Sequence, residues 1–261
     1  MEAKTFLALF LCLLGAYSLQ AQNELYEEAV FKNNSDSLQY RIMYPEGFSE
    51  TKQYPVVLFL HGAGERGNDN TKQLAHGSSL FSTSEHRDQY PAIIIFPQCP
   101  AGQYWANVDV NRQVQPYTLD FNYEKGPTKP MELVMELMDG ILAEPYTKKE
   151  QVYVMGLSMG GMGTYEILYR KPEMFAAAVA ICGGGDPKTV KTYAKEVPMW
   201  IFHGAMDNVV DPIYSLQMGS QILEDGGFPN ITIYSDANHN SWDPAFVEPG
   251  LLKWLFSKTT N

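Results

Sequence analysis

The apolar and polar positions of this chain describe two kinds of strand. Residues 38–45, "LQYRIMYP", alternate, as a half-exposed strand does, and with the preceding "EEAVFKN" they predict an antiparallel pair. Six later runs are continuous rather than alternating: "PVVLFLHG" at 55–62, "PAIIIFPQ" at 91–98, "VYVMGLS" at 152–158, "AAAVAICGG" at 176–184, "PMWIFHG" at 198–204 and "NITIYSDA" at 230–237. A strand reads this way when both of its faces are buried. The pattern therefore predicts an α/β fold, a mostly parallel sheet with helices on both sides and an antiparallel pair at its N-terminal end.

The intervening segments carry helical signals. "PMELVMELMDGILAEP" opens with Pro130 in a first-turn position, "PIYSLQMGSQILEDGG" ends on glycines, and "FVEPGLLKWLFSK" predicts a last helix. Residues 99–130 show neither helical nor strand period, and a loop of that length inside a compact domain is usually functional or disordered. With no repeat and no linker, residues 22–261 read as one catalytic-sized domain.

Residues 1–21 are set apart as a signal peptide. Lys4 precedes an apolar run from Phe6 to Leu14 and then small residues, with cleavage sites after Ser18 or Ala21. The run is too short to span a bilayer. Leu11 stands before Cys12 where a lipid-attachment site requires Gly or Ala, so a secreted or periplasmic protein without a lipid or stable membrane insertion is expected. A net charge of −11 repels a phosphate backbone and sets nucleic acid aside. Cys99 and Cys182 fall at the ends of strands separated by two others, about 14 Å apart at normal strand spacing. Both are expected to be free.

Chemistry gathers where apolar runs end. In "GLSMGG" the glycines Gly156 and Gly160 flank Ser158 at a strand-to-helix seam, the arrangement that holds a serine hydroxyl clear of the sheet. Further tips deliver His61, then His203 followed by Asp207 and Asp211, then His239. A serine, an acid and a histidine in that order make a nucleophile, an orienting carboxylate and a base. His239 is the base of choice, because His61 and His203 sit directly before glycines and suit bracing roles, and His76 and His86 lie in a polar segment. Asp211 precedes Pro212 and is explained as a helix cap; Asp207 has no such explanation, with Asp236 a further reserve. By position, backbone N–H groups of Ala63 and Met159 would form the oxyanion hole. No metal or cofactor is called for, since the histidines and cysteines lack ligand spacing and no dinucleotide fingerprint is present.

"LFLHGAGERG", "PQCP" followed by Trp105, "GLSMGG", "HGAMDNVV" and "NHNSWDPAF" together resemble an α/β-hydrolase, more closely a branch of secreted bacterial esterases that includes acetyl-xylan and feruloyl esterases and predicted peptidases. The resemblance runs from about residue 38 to the end and places the triad acid at Asp207. It implies a serine esterase acting through an acyl-enzyme on a small-molecule or oligosaccharide ester, with acetyl or feruloyl groups on plant cell-wall polysaccharide expected. Tyr104 and Trp105 would form a substrate wall or pack the long loop, and adjacent Glu65 and Arg66 read as a solvated ion pair. A serine peptidase and a noncatalytic sugar-binding protein on the same frame are the alternatives.

Overall fold

A computed structural model describes residues 24–33 and 35–260; the expected signal peptide lies outside the described residues. The strands are β1 (Glu27–Lys32), β2 (Ser37–Met43), β3 (Tyr54–Leu60), β4 (Ile93–Pro97), β5 (Val108–Asn111), β6 (Thr118–Phe121), β7 (Thr147–Leu157), β8 (Ala177–Ile181), β9 (Met199–Gly204) and β10 (Asn230–Tyr234). Eight of them form one sheet in the order β1-β2-β4-β3-β7-β8-β9-β10. The β1–β2 and β2–β4 pairs are antiparallel and every later pair is parallel.

The helices are α1 (Ser78–Ser82), α2 (Ser84–Gln89), α3 (Lys129–Ala143), α4 (Met159–Arg170), α5 (Ile213–Glu224), α6 (Trp242–Phe246) and α7 (Leu251–Phe256). Alternate residues of β3 show why its sequence is continuously apolar. Val56, Leu58 and Leu60 join the core with Val134 of α3, Leu168 of α4 and Ile222 of α5, whereas Val57 and Phe59 join the opposite core with Phe81 of α1, Ala245 of α6 and Leu255 of α7. Both pleat faces are buried, so neither can be polar. Helix α3 starts as its sequence dictates: Met131 N donates to the Thr128 hydroxyl at 3.3 Å and Pro130 occupies the first turn.

Three elements differ from the sequence expectation. Strand β10 pairs only with β9, and Ile231 and Ile233 are partly exposed, so an apolar run serves here as a sheet edge. The expected last helix over residues 246–258 is helical only as α7 from Leu251, after Pro249 and Gly250, and Phe246 instead closes a separate short helix, α6. Residues 99–130 are ordered around a hairpin of β5 and β6, whose Leu119 packs with Ala106, Tyr123, Met162 and Val210 in a third apolar cluster. This hairpin lies over the start of α4 and walls the site. Cys99 and Cys182 are free and buried, with β3 and β7 between their strands.

Candidate active site

Strand β7 ends at Leu157 and α4 begins at Met159, which leaves Ser158 alone to turn the chain. It does so at φ 53° and ψ −117°, a conformation that costs a non-glycine residue on the order of 1–3 kcal/mol. Ser158 N donates to Ile181 O at 2.8 Å, and Met162 N donates to Ser158 O at 3.0 Å, so the turn is pinned from both sides. The flanking glycines permit it. A Cβ on Gly160 would sit 1.8 Å from Leu60 O, and one on Gly156 would sit 2.2 Å from Gly160 O. Helix and strand therefore meet backbone to backbone, and the serine hydroxyl stands above the carboxyl end of the sheet.

The structure brings Ser158, His239 and Asp207 into one hydrogen-bonded row. Ser158 Oγ is 2.9 Å from His239 Nε2, and His239 Nδ1 is 2.7 Å from Asp207 Oδ2. An ionised carboxylate only accepts, so Nδ1 carries the proton and the Nε2 lone pair of the neutral ring faces the serine hydroxyl. The loops bearing the pair are tied together, since His239 N and Asn208 N both donate to Asn238 Oδ1, at 2.7 and 3.1 Å.

Asp207 is 4 % exposed and fully engaged. Its Oδ1 accepts from Val209 N at 2.8 Å and Val210 N at 3.0 Å, while its Oδ2 also receives His203 Nε2 at 3.1 Å. Burial alone would push the carboxyl pKa up, but the donors from His203, His239 and Val209 outweigh it and hold the group below the usual carboxylate range. His203 takes a bracing role, as its place before a glycine suggested, and what its ring braces is the acid. The four-residue spacing from His203 to Asp207 was the available signal. Asp211 instead accepts from Ile213 N at 2.9 Å at the start of α5, and Asp236 lies exposed after β10. Cys182, Asp207 and His239 lie close enough to suggest a metal cluster, but the two latter residues already bond each other and burial holds the Cys182 thiol far above its ordinary pKa.

Ala63 opens a short 3₁₀ turn (Ala63–Glu65) and Met159 opens α4, and both line the cavity that Ser158 enters. The first N–H groups of a helical turn have no acceptor within it, so both are available to an anion. Beneath the turn, His61 Nδ1 donates to Gly62 O at 2.6 Å and its Nε2 accepts from Cys99 N at 2.9 Å, which fixes one neutral tautomer. Burial pushes the His61 pKa down to about 4.

Of the two expectations for Trp105, substrate wall or packing, the structure shows packing. Its side chain is 0 % exposed, belongs to the main core and donates Nε1–H to His61 O at 3.0 Å. It supports the turn from behind, whereas Tyr104 lines the cavity. The expected pairing of Glu65 with Arg66 is also replaced: Arg66 donates to Ala63 O at 2.8 Å and Gln103 O at 3.1 Å, and Glu65 faces His76 at 3.8 Å.

The cavity measures about 440 Å³, with Val110 and Leu119 of the hairpin, Met162 and Val210 as apolar lining. His76 and Trp242, not singled out in the sequence, close another side; the Trp242 ring lies 5.2 Å from His76 and 5.5 Å from His239. Among the described residues no helix is long and apolar enough to cross a membrane.

Sheet order, serine turn and hydrogen-bonded row together define an α/β-hydrolase. Residues 34–229 match the Esterase family model, and the chain belongs to that family. A solved thermostable esterase is 31% identical with a TM-score of 0.81 over 90% of this chain, which spans 64% of that protein's length. A "Probable carboxylesterase" of Oryza sativa subsp. japonica is 27% identical over 63% of this chain and 72% of its own. The ferulic acid esterase of Anaeromyces mucronatus, solved with ferulic acid, shares the fold at a TM-score of 0.64 and 16% identity, over 89% of this chain and 90% of that one.

Proposed function

We propose that this chain is an exported serine esterase that removes small acyl groups, acetyl or feruloyl, from plant cell-wall polysaccharide or its oligomers. The observation that carries the reading is the unbroken row from Ser158 through His239 to Asp207 at a cavity large enough for an ester. Ser158 Oγ attacks the carbonyl carbon as its proton passes to His239 Nε2, and the displaced electron pair rests on the carbonyl oxygen, facing the N–H groups of Ala63 and Met159. Asp207 stabilises the imidazolium. Collapse of the intermediate expels the alcohol, which takes the proton from Nε2 and leaves an acyl-serine. Water, deprotonated by His239, then releases the acid and restores Ser158.

Every step uses side chains and backbone of this chain. The polysaccharide reading rests on the cavity wall, where the Tyr104 and Tyr117 rings offer flat faces and hydroxyl groups suited to a sugar or a phenolic acyl group, and on the fold shared with the ferulic acid esterase. Export rests on the pattern of residues 1–21. A panel of p-nitrophenyl esters, methyl hydroxycinnamates, acetylated xylan and triglycerides tests the assignment on the mature protein. Release of acetate or ferulate from xylan is expected. Hydrolysis of long-chain triglycerides with none from either xylan would reject it.

A further inference from the structure

We propose that the ester this site prefers carries a free carboxylate near the scissile bond, read by Arg66 and Arg112. The inference deepens the esterase reading and rests on it. The chain has five arginines. Arg41 pairs with Glu28 at 2.8 Å, Arg87 with Glu46 at 3.8 Å and Arg170 with Glu166 at 2.6 Å. Among the described residues only Arg66 and Arg112 have no carboxylate within ion-pair reach, and both line the cavity that holds Ser158. In a protein with a net charge of −11, the two uncompensated guanidiniums thus stand together at the site.

Their placement is built. Arg66 is fixed by its hydrogen bonds to Ala63 O and Gln103 O, which leave its Nη2 uncommitted, and its Cζ lies 5.2 Å from the Tyr104 ring centre. Arg112 reaches the same ring from the β5–β6 hairpin at 5.7 Å, lies 5.6 Å from the Tyr117 ring, and donates to the Tyr104 hydroxyl. Two like charges gathered on one aromatic ring repel each other, most strongly at low ionic strength. A carboxylate between or beside them relieves it through charge-assisted hydrogen bonds. Glu65, the acidic residue of the lining, is turned toward His76. A solvated arginine stacked on a tyrosine would explain one such contact; it does not explain why both unpaired guanidiniums share one ring beside the serine.

The carboxylate can belong to the acyl part, as in a monoester of a dicarboxylic acid, or to the alcohol part, as in an acylated uronic-acid saccharide. Two matched pairs separate these sources: monomethyl glutarate against methyl valerate, and an O-acetylated methyl galacturonoside against the O-acetylated methyl galactoside. The anionic member of one pair is expected to have a kcat/KM about tenfold higher or more at low salt, with the advantage shrinking as ionic strength rises. Preference in the first pair places the carboxylate on the acyl side, and in the second on the alcohol side. In Arg112→Gln the ratio should fall toward one, while Arg112→Lys should keep part of it; Arg66 is left intact because it holds the Ala63 turn. A melting curve confirms that the hairpin variant is folded. Equal or better turnover of the neutral members in both pairs, or a preference unchanged in folded Arg112→Gln, overturns the proposal and leaves the esterase reading standing. Hydrolysis of none of the four esters overturns this inference, while the esterase reading is decided separately by the p-nitrophenyl ester, hydroxycinnamate and xylan panel.

Discussion

His203 and His239 address the same oxygen of Asp207, at 3.1 and 2.7 Å, while the other oxygen takes two backbone N–H groups. An amide in place of this carboxylate would turn its NH₂ toward donors whichever way it is flipped. Asp207→Asn is therefore expected to cost about 2–3 kcal/mol of stability as well as on the order of 10⁴-fold in kcat. Asp211→Asn, which alters only the contact to Ile213 N, should cost at most about 1 kcal/mol and little turnover. Parallel melting curves and ester kinetics on the two variants decide this, and the opposite ranking would move the acid to Asp211.

Stability should fall with acidification above the carboxylate range because of His61. Its pKa drops from an ordinary 6.5 to about 4 on folding, so between those values the unfolded chain binds the extra proton and unfolding is favoured as pH falls. The full difference is worth about 3 kcal/mol at 1.36 kcal/mol per pH unit. The depressed carboxyl of Asp207 acts in a separate window: its contribution is complete above about pH 4 and is lost only as pH falls below that. Denaturant unfolding from pH 7 to pH 4 should show the decline in the native protein and a flatter curve in His61→Gln. An equal slope in both would remove His61 as its origin.

Trp105→Ala should destabilise the protein by about 3–5 kcal/mol, since it empties a fully buried site and removes the hydrogen bond to His61 O. Because the indole stands behind the turn, any loss of kcat/KM should be similar for p-nitrophenyl acetate and for a carbohydrate ester. Tyr104→Ala, at the cavity surface, should raise KM mainly for the larger substrate. A Trp105→Ala effect confined to carbohydrate esters would contradict its placement.

The sheet was legible because burial on both faces leaves no polar positions in β3, β4, β8, residues 152–157 of β7 and residues 199–202 of β9, and the seryl turn was legible because only glycines allow the contacts at 156 and 160. Apolar runs do not reveal whether a strand is central or at an edge, which is why β10 was misjudged. Strands as short as β5 and β6 are too brief to establish a period, and they hid the hairpin that walls the site. An aromatic in a polar stretch reads alike whether it faces a cavity or a core, so Tyr104 and Trp105 were not separable. The bond from His203 to Asp207 depends on how the loop after β9 folds back, which sequence spacing permits without requiring.

The central claim is that Ser158 is the nucleophile, and covalent labelling tests it most directly. The mature protein is treated with diethyl p-nitrophenyl phosphate, and its peptides are weighed as ester hydrolysis is lost. One diethylphosphoryl group on the peptide carrying Ser158, rising in step with inactivation and missing from folded Ser158→Ala, is the expected result. Complete inactivation with Ser158 unmodified, or with the group on another residue, would contradict it.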